Sequence, residues 1–263
     1  MSSLWVERQG VRFLTFSHLD VPHGISSRFT GVSVGAFGSL NLGMMSGDEL
    51  DKVAENRRLF GAAVGFPTPY SVKLEHGADV VEIVRAEEQP SPPPADGCVT
   101  DRPDVPLTVT TADCVSILYH DPVRKAVGAA HAGWKGTLLG VAQNTVQKLQ
   151  ELYGCEPSNL RVALGPCIQV CCFEVDDQVA EQFEQRFPAL KGEAFVRPHH
   201  DRPGKWHIDL HGALRRSLIA AGVTPDHLVS SPLCTSCRLE DFYSYRRDGG
   251  RTGRMAAAIC MSR

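Results

Sequence analysis

The apolar positions along the chain change period several times, and each change marks an element. Between residues 10 and 45, short apolar fragments are broken by glycines and end in GVSVGAFGSLNLG. That density of Gly, Ser and Asn predicts strands joined by tight turns rather than helix. From Asp48 the period lengthens. Val53, Arg57, Phe60 and Val64 recur at helical spacing, Asp48, Glu49 and Asp51 lie at the favourable N-terminal end, and Gly65 and Pro67 provide the stop. YSVKLE, from Tyr70, and residues 80–84 predict two short strands. Four prolines in EEQPSPPPA, residues 87–95, predict an exposed, extended surface loop.

Residues 105–111 alternate as a strand, and 115–119 and 126–130 are apolar runs separated by a turn at His120-Asp121-Pro122. Leu138, Ala142, Val146, Leu149 and Tyr153 then share one face of a long amphipathic helix that Gly154 should stop. A strand over Arg161–Leu164 leads into GPCI. Helices follow around Val179, Phe183 and Phe187, and around Leu210, Leu214, Leu218 and Ala221, before a C-terminal strand over 255–260. There is no internal repeat. Strands and helices intermingle without regular alternation, which predicts an α/β (α+β) fold: a single domain of mixed β-sheets flanked by helices, spanning residues 1–263.

Composition narrows the partners. A chain of 263 residues can bury a sizeable core. Its net charge of −3 gives no reason to expect nucleic acid as a partner. No apolar run approaches the ~18 residues of a membrane span. The first ten residues, MSSLWVERQG, have neither the basic start nor the apolar stretch of a secretion signal. Nine irregularly spaced cysteines in a chain of this size favour a reducing compartment, so the expectation is a cytoplasmic protein.

The candidate chemistry concentrates between Ala95 and Gly140. Cys114 follows Thr110-Thr111-Ala112-Asp113 where a strand gives way to a turn, and His131 stands where a strand meets a helix in HAGWKG. Each has an ordinary alternative, a buried cysteine acting as a small hydrophobe and a histidine satisfied by backbone. With His76 they supply one thiolate and two imidazoles, a three-ligand set for zinc with an open fourth position. Separations of 38 and 17 residues match no compact zinc motif. Gly133, Lys135 and Gly136 before a helix suit an anion, or merely a turn. FYSYRRDGGRTGR places Arg246, Arg247, Arg251 and Arg254 among aromatics, where phosphate and a structural ion pair are equally good partners. Cys234-Thr235-Ser236-Cys237 is a lone CxxC that Cys167, Cys171 and Cys172 would complete as a metal site, but ordinary reduced cysteines are the simpler expectation. His199-His200 reads as surface.

The ordered motifs resemble the laccase-domain family, also called multicopper polyphenol oxidoreductase-like, which includes the peptidoglycan editing factors and is associated with purine nucleoside phosphorylase activity. They are SLNLG at Ser39, NRRL at Asn56, HGADV at His76, ADGCVTD around Asp96, TADC at Cys114, GAAHAGWKG around His131, GPCI at Gly165 and SYRRDGGRTGR at Ser244. The resemblance implies zinc bound by His76, Cys114 and His131. It implies phosphorolysis of adenosine, inosine, guanosine and methylthioadenosine, and deamination of adenosine. It places Ser39 and Arg57 near the nucleoside. Phosphorolysis also needs phosphate held on one face of the ribose, a task for cations such as Lys135 or Arg247. Leu74 and Leu214 depart from the family's usual glutamine and asparagine.

Three rivals remain. A laccase-like polyphenol oxidase would use copper, but ten histidines with one adjacent pair are few for a four-copper site. A Cys–His hydrolase would use Cys114 as nucleophile and His131 as base, in the editing of a peptidoglycan precursor. A zinc-binding regulator without turnover is the third.

Overall fold

The computed structural model describes residues 3–85, 92–189 and 194–262. In chain order the strands are β1 (Ser3–Arg8), β2 (Val11–Phe16), β3 (His23–Ser26), β4 (Tyr70–Ser71), β5 (Val80–Glu82), β6 (Gly97–Thr100), β7 (Leu107–Thr111) and β8 (Val115–Asp121). They continue as β9 (Ala126–Ala132), β10 (Arg161–Leu164), β11 (Glu174–Asp176), β12 (Val196–Pro198), β13 (Lys205–Ile208), β14 (Leu228–Ser230) and β15 (Met255–Ile259). The helices are α1 (Leu50–Val64), α2 (Trp134–Leu139), α3 (Val141–Tyr153), α4 (Asp177–Arg186) and α5 (Leu210–Ala220).

Two six-stranded sheets, ordered β1-β2-β3-β15-β7-β4 and β14-β10-β8-β9-β6-β5, carry the fold, and a small sheet β11-β13-β12 lies beside them. Both large sheets mix parallel and antiparallel pairs. The period of two decides the layers. On β15, Met255, Ala257 and Ile259 join a core that also holds Leu118, Val127 and Ala129 of the second sheet, whereas Ala256 and Ala258, with Cys260 just past the strand, pack with Phe60, Ala63 and Val64 of α1. On β8, Val115, Ile117 and Tyr119 turn the other way, toward Val146 and Leu149 of α3 and Leu214 and Leu218 of α5. The order is therefore helix, sheet, sheet, helices, with the strands near the middle buried on both faces.

Several expectations hold closely. Helix α1 ends at Gly65, which takes the left-handed conformation (φ 105°) that closes a helix at little cost only in glycine. The mixed α/β class and the strands over 161–164 and 255–259 are as expected. Three points differ. The helix expected through Leu138 and Tyr153 is two helices, because Gly140 (φ 90°) turns the chain between α2 and α3, while Gly154 does end the second. Residues 27–49 form no strand. There, side chains replace the ladder: Asn56 donates to the carbonyls of Ser39 and Asn41 and accepts the Val32 amide, while Asn41 accepts the amides of Gly43 and Arg254. Strands β1, β6, β11–β13 and β14 lie outside the elements that the pattern predicts, and all but β1 are only three or four residues long. Of the proline-rich loop, residues 87–91 lie outside the described residues, while residues 93–95 run along Lys73.

Candidate functional site

Strand register brings the pieces together. Antiparallel pairing of β6 with β9 sets Gly97 opposite Ala130, and hence Asp96 beside His131, whose amide donates to the Asp96 carbonyl at 2.7 Å. Pairing of β8 with β9 sets Val115 opposite Ala132, so Cys114 lies alongside Gly133. Parallel pairing of β5 with β6 returns the 75–77 loop to Asp96. The nitrogen and sulfur donors of His76, Cys114 and His131 then lie within 4.8 Å of one another. These are the three residues that the resemblance named as candidate ligands, and the fold brings them together.

Asp96, which the motif reading noted only as part of a string, organises the site. Its carboxylate is 1% exposed. Oδ1 accepts from the His76 amide at 3.0 Å and from His131 Nδ1 at 2.8 Å, while Oδ2 accepts from the amides of Glu75 at 3.2 Å and Gly77 at 2.7 Å. His131 thus carries its proton on Nδ1 and turns Nε2 to the cluster, as a metal-binding histidine held by a carboxylate does. His76, in the left-handed region at φ 59°, is held by its own amide, and its ring meets that of His131 edge-on at 4.9 Å. Burial disfavours charge on both Cys114 and His131. The facing groups win: the two imidazoles hold the thiol below its ordinary range, and the thiolate and Asp96 hold His131 above its own.

The donor set fits a metal ion on a second observation. A Cβ built on Gly133 would lie 3.1 Å from Cys114 Sγ and 3.2 Å from His76 Cδ2, so glycine there keeps open the space beside these donors. One thiolate and two imidazoles suit zinc or copper.

Asp113, at φ 89°, is buried beside Cys114 and points away from the cluster. It accepts from the hydroxyls of Thr235 (2.6 Å) and Ser244 (3.0 Å) and the amide of Arg246 (2.7 Å), tying the Cys114 turn to the SYRRDGG loop. Arg247 does not extend freely toward solvent. Its guanidinium donates to Asp248 and to the carbonyls of Thr235, Ser236 and Phe242. Arg57 is buried and donates to the carbonyls of Leu42 and Pro69 and to Ser71 Oγ, with burial pushing its pKa down to about 10. Ser39 Oγ donates to the Arg28 carbonyl and accepts the Gly31 amide. Lys135 is exposed on α2, with Nζ 5.4 Å from the Trp134 ring centre. Arg254, half-buried against the Tyr245 ring, donates to the carbonyls of Thr252 and Gly253, and burial holds its pKa below the ordinary range. Of the two departures from the family pattern, Leu214 is a core residue and Leu74 is half-buried against the core between the two large sheets.

Among the described residues no helix is long and apolar enough to cross a membrane. The profile of the family described as multi-copper polyphenol oxidoreductase laccase matches residues 22–262. A purine nucleoside phosphorylase of Deinococcus radiodurans is 41% identical over 256 residues, covering 97% of this chain and 94% of that one. Purine nucleoside phosphorylase YlmD of Geobacillus stearothermophilus is 38% identical over 245 residues, 90% of this chain and 88% of its own. The crystal structure of YlmD from that organism matches with a TM-score of 0.90 at 34% identity, over 99% of this chain and 100% of the other. With the motif string, the fold and nearly the whole length in agreement, the chain belongs to the laccase-like family described as multi-copper polyphenol oxidoreductase laccase, relatives in which are named purine nucleoside phosphorylases.

Proposed function

We propose that this chain is a zinc-dependent purine nucleoside phosphorylase acting on adenosine, inosine, guanosine and methylthioadenosine, and that it also deaminates adenosine. The observation that carries the reading is the convergence of His76, Cys114 and His131 under one buried carboxylate, in a chain whose relatives bear that enzyme name. The ligands His76, Cys114 and His131 would hold the ion, which supplies Lewis-acid chemistry when bound. Zinc is favoured over copper because three protein donors with an open position suit transfer and hydrolysis, and a multicopper centre needs denser histidine clusters.

In phosphorolysis the bond from phosphate to the anomeric carbon forms as the glycosidic bond breaks, and the departing purine gains the proton that the attacking hydrogen phosphate gives up. Asp96 fixes the His131 tautomer and thereby the direction of Nε2. Phosphate is assigned to the cations Lys135, exposed two residues beyond Gly133, and Arg247, in the loop that Asp113 ties to the Cys114 turn. Arg247 also braces the 235–236 turn, and Ser39 and Arg57, which would approach the nucleoside, are fixed in place by their bonds to the Arg28 and Leu42 carbonyls.

A specific observation favours one rival. Cys114, His131 and Asp96 also have the order of a thiol–imidazole–carboxylate triad, the arrangement a peptidoglycan-precursor hydrolase would use. Metal separates the two, since a thiolate held by zinc is a poor free nucleophile.

The test is base release from inosine and adenosine, with and without phosphate, on metal-analysed protein and on Cys114→Ala. Phosphate-dependent release that disappears with the metal and in the variant is expected, and Lys135→Ala should raise the KM for phosphate about tenfold with kcat little changed. Well-folded, zinc-loaded protein that releases no base would overturn the reading.

A further inference from the structure

The cysteines left aside as ordinary thiols are gathered at one corner of the fold. Strand β10 pairs in parallel with β14, Leu164 beside Ser230, and the two chains stay together beyond the sheet as an isolated bridge between Cys167 and Cys234. Each then turns through a pair of cysteines. One turn carries Cys171 and Cys172, with the amides of Cys172 and Phe173 both donating to the Gln169 carbonyl. The other is the CxxC turn of Cys234 and Cys237, with the Arg238 amide donating to the Cys234 carbonyl. All four sulfurs lie within 4.8 Å of one another. Cys171 Sγ is 3.6 Å and Cys172 Sγ 3.3 Å from Cys237 Sγ, 66 and 65 residues away in sequence.

Those separations are informative. A disulfide brings two sulfurs to about 2.05 Å. Four thiolates around zinc at about 2.3 Å stand about 3.8 Å apart along the edges of a tetrahedron. The observed spacing is close to the second and far from the first. Backbone donors are also in place, the Gln169 amide pointing at Cys234 Sγ at 3.4 Å. Cys171 and Cys237 are exposed, so an ion can enter from solvent.

We propose that Cys171, Cys172, Cys234 and Cys237 form a second metal site, a closed tetrathiolate zinc clamp separate from His76, Cys114 and His131. Its place in the fold gives it a purpose. Between the two ligands of the CxxC turn, Thr235 donates its hydroxyl to Asp113, the neighbour of Cys114, and Thr235 and Ser236 take the Arg247 guanidinium on their carbonyls. A clamp there fixes the turn on which the Cys114 loop hangs. Glu174, His199 and His207 form another cluster of donors, but Glu174 is already ion-paired with Arg202, so it makes a poorer site.

The test is metal stoichiometry on full-length protein purified under reductant with zinc present, combined with cobalt substitution. The proposal expects about two zinc ions per wild-type chain. It expects half of that metal to remain in Cys114→Ala, half to be lost in the double variant Cys171→Ser/Cys237→Ser, and none to stay when the substitutions are combined. Cobalt-loaded Cys114→Ala should show the intense, red-shifted visible bands of a tetrahedral tetrathiolate, a readout that needs no substitution in the clamp. A Cys114→Ala protein that binds no metal and gives no such bands overturns the proposal, as does a Cys172–Cys237 disulfide in the reduced preparation. If wild type holds a single ion that survives Cys114→Ala and is lost in Cys171→Ser/Cys237→Ser, the clamp stands and the zinc assignment at His76, Cys114 and His131 falls.

Discussion

Replacing Asp96 by asparagine tests the organisation of the site more sharply than removing a ligand. The two side chains have the same shape, so packing is preserved, but one carboxylate oxygen becomes an amide donor. Four donors converge on Asp96, two on each oxygen. Whichever way the amide turns, two of them meet an NH₂ group in a place 1% exposed to water. Each buried unsatisfied donor costs about 1–3 kcal/mol, so a loss of about 3 kcal/mol is expected. For a chain of this length that is a fall in Tm of roughly 5–10 °C. The loss has a second signature. With the amide group facing Oδ1's partners, His131 is released from its Nδ1 hydrogen bond, and metal affinity should fall about 10–100-fold. With it facing the other pair, the 75–77 loop carrying His76 is released instead, so both orientations weaken the same cluster. The assay is thermal unfolding with and without chelator, alongside competition against a chromophoric zinc chelator. Asp96→Asn with wild-type Tm and wild-type metal affinity would refute the claim that this carboxylate sets the ligands.

Two further predictions follow from the same geometry. Gly133 has φ −73° and ψ 179°, which alanine adopts freely, so Gly133→Ala acts only through a Cβ placed 3.1 Å from Cys114 Sγ; it should keep the wild-type far-UV circular dichroism while losing metal on dialysis, and full metal retention would show that the space is not needed. His211 accepts from Gln169 Nε2 on Nδ1, donates from Nε2 to the Gly165 carbonyl, and is held neutral by burial with its pKa pushed down to about 4. The unfolded chain takes up that proton near pH 6.5, so the contribution of His211 is complete above pH 6.5 and declines as the pH falls toward 4, by at most about 3 kcal/mol. Denaturant titrations across that range should show a shallower pH dependence in His211→Gln, and an unchanged slope would mean that this histidine is not the group resisting protonation.

Local pattern was sufficient wherever an element depends on its own residues. The helical spacing of Val53, Phe60 and Val64 with Gly65 after it defines α1, and the apolar runs after Val115 and Ala126 define β8 and β9. The break at Gly140 was hidden because an apolar stripe continues across it: Leu138 and Ala142 keep helical spacing although a left-handed glycine lies between them. The motif string also carried His76, Cys114 and His131 by resemblance, while their spacing in sequence carried almost nothing.

What the sequence alone determined, then, is the class of fold and most of the longer elements, and by resemblance it named three donors that the fold brings together. Tertiary structure decided the rest, because it rests on strand register between distant segments. Only the pairing of β6 with β9 makes Asp96 the partner of His131, 35 residues on. Only the shared exit of β10 and β14 brings an adjacent cysteine pair to a CxxC turn some sixty residues later. A side chain's type can be read locally, but its partner is chosen by the hydrogen-bond ladder that sets two strands side by side.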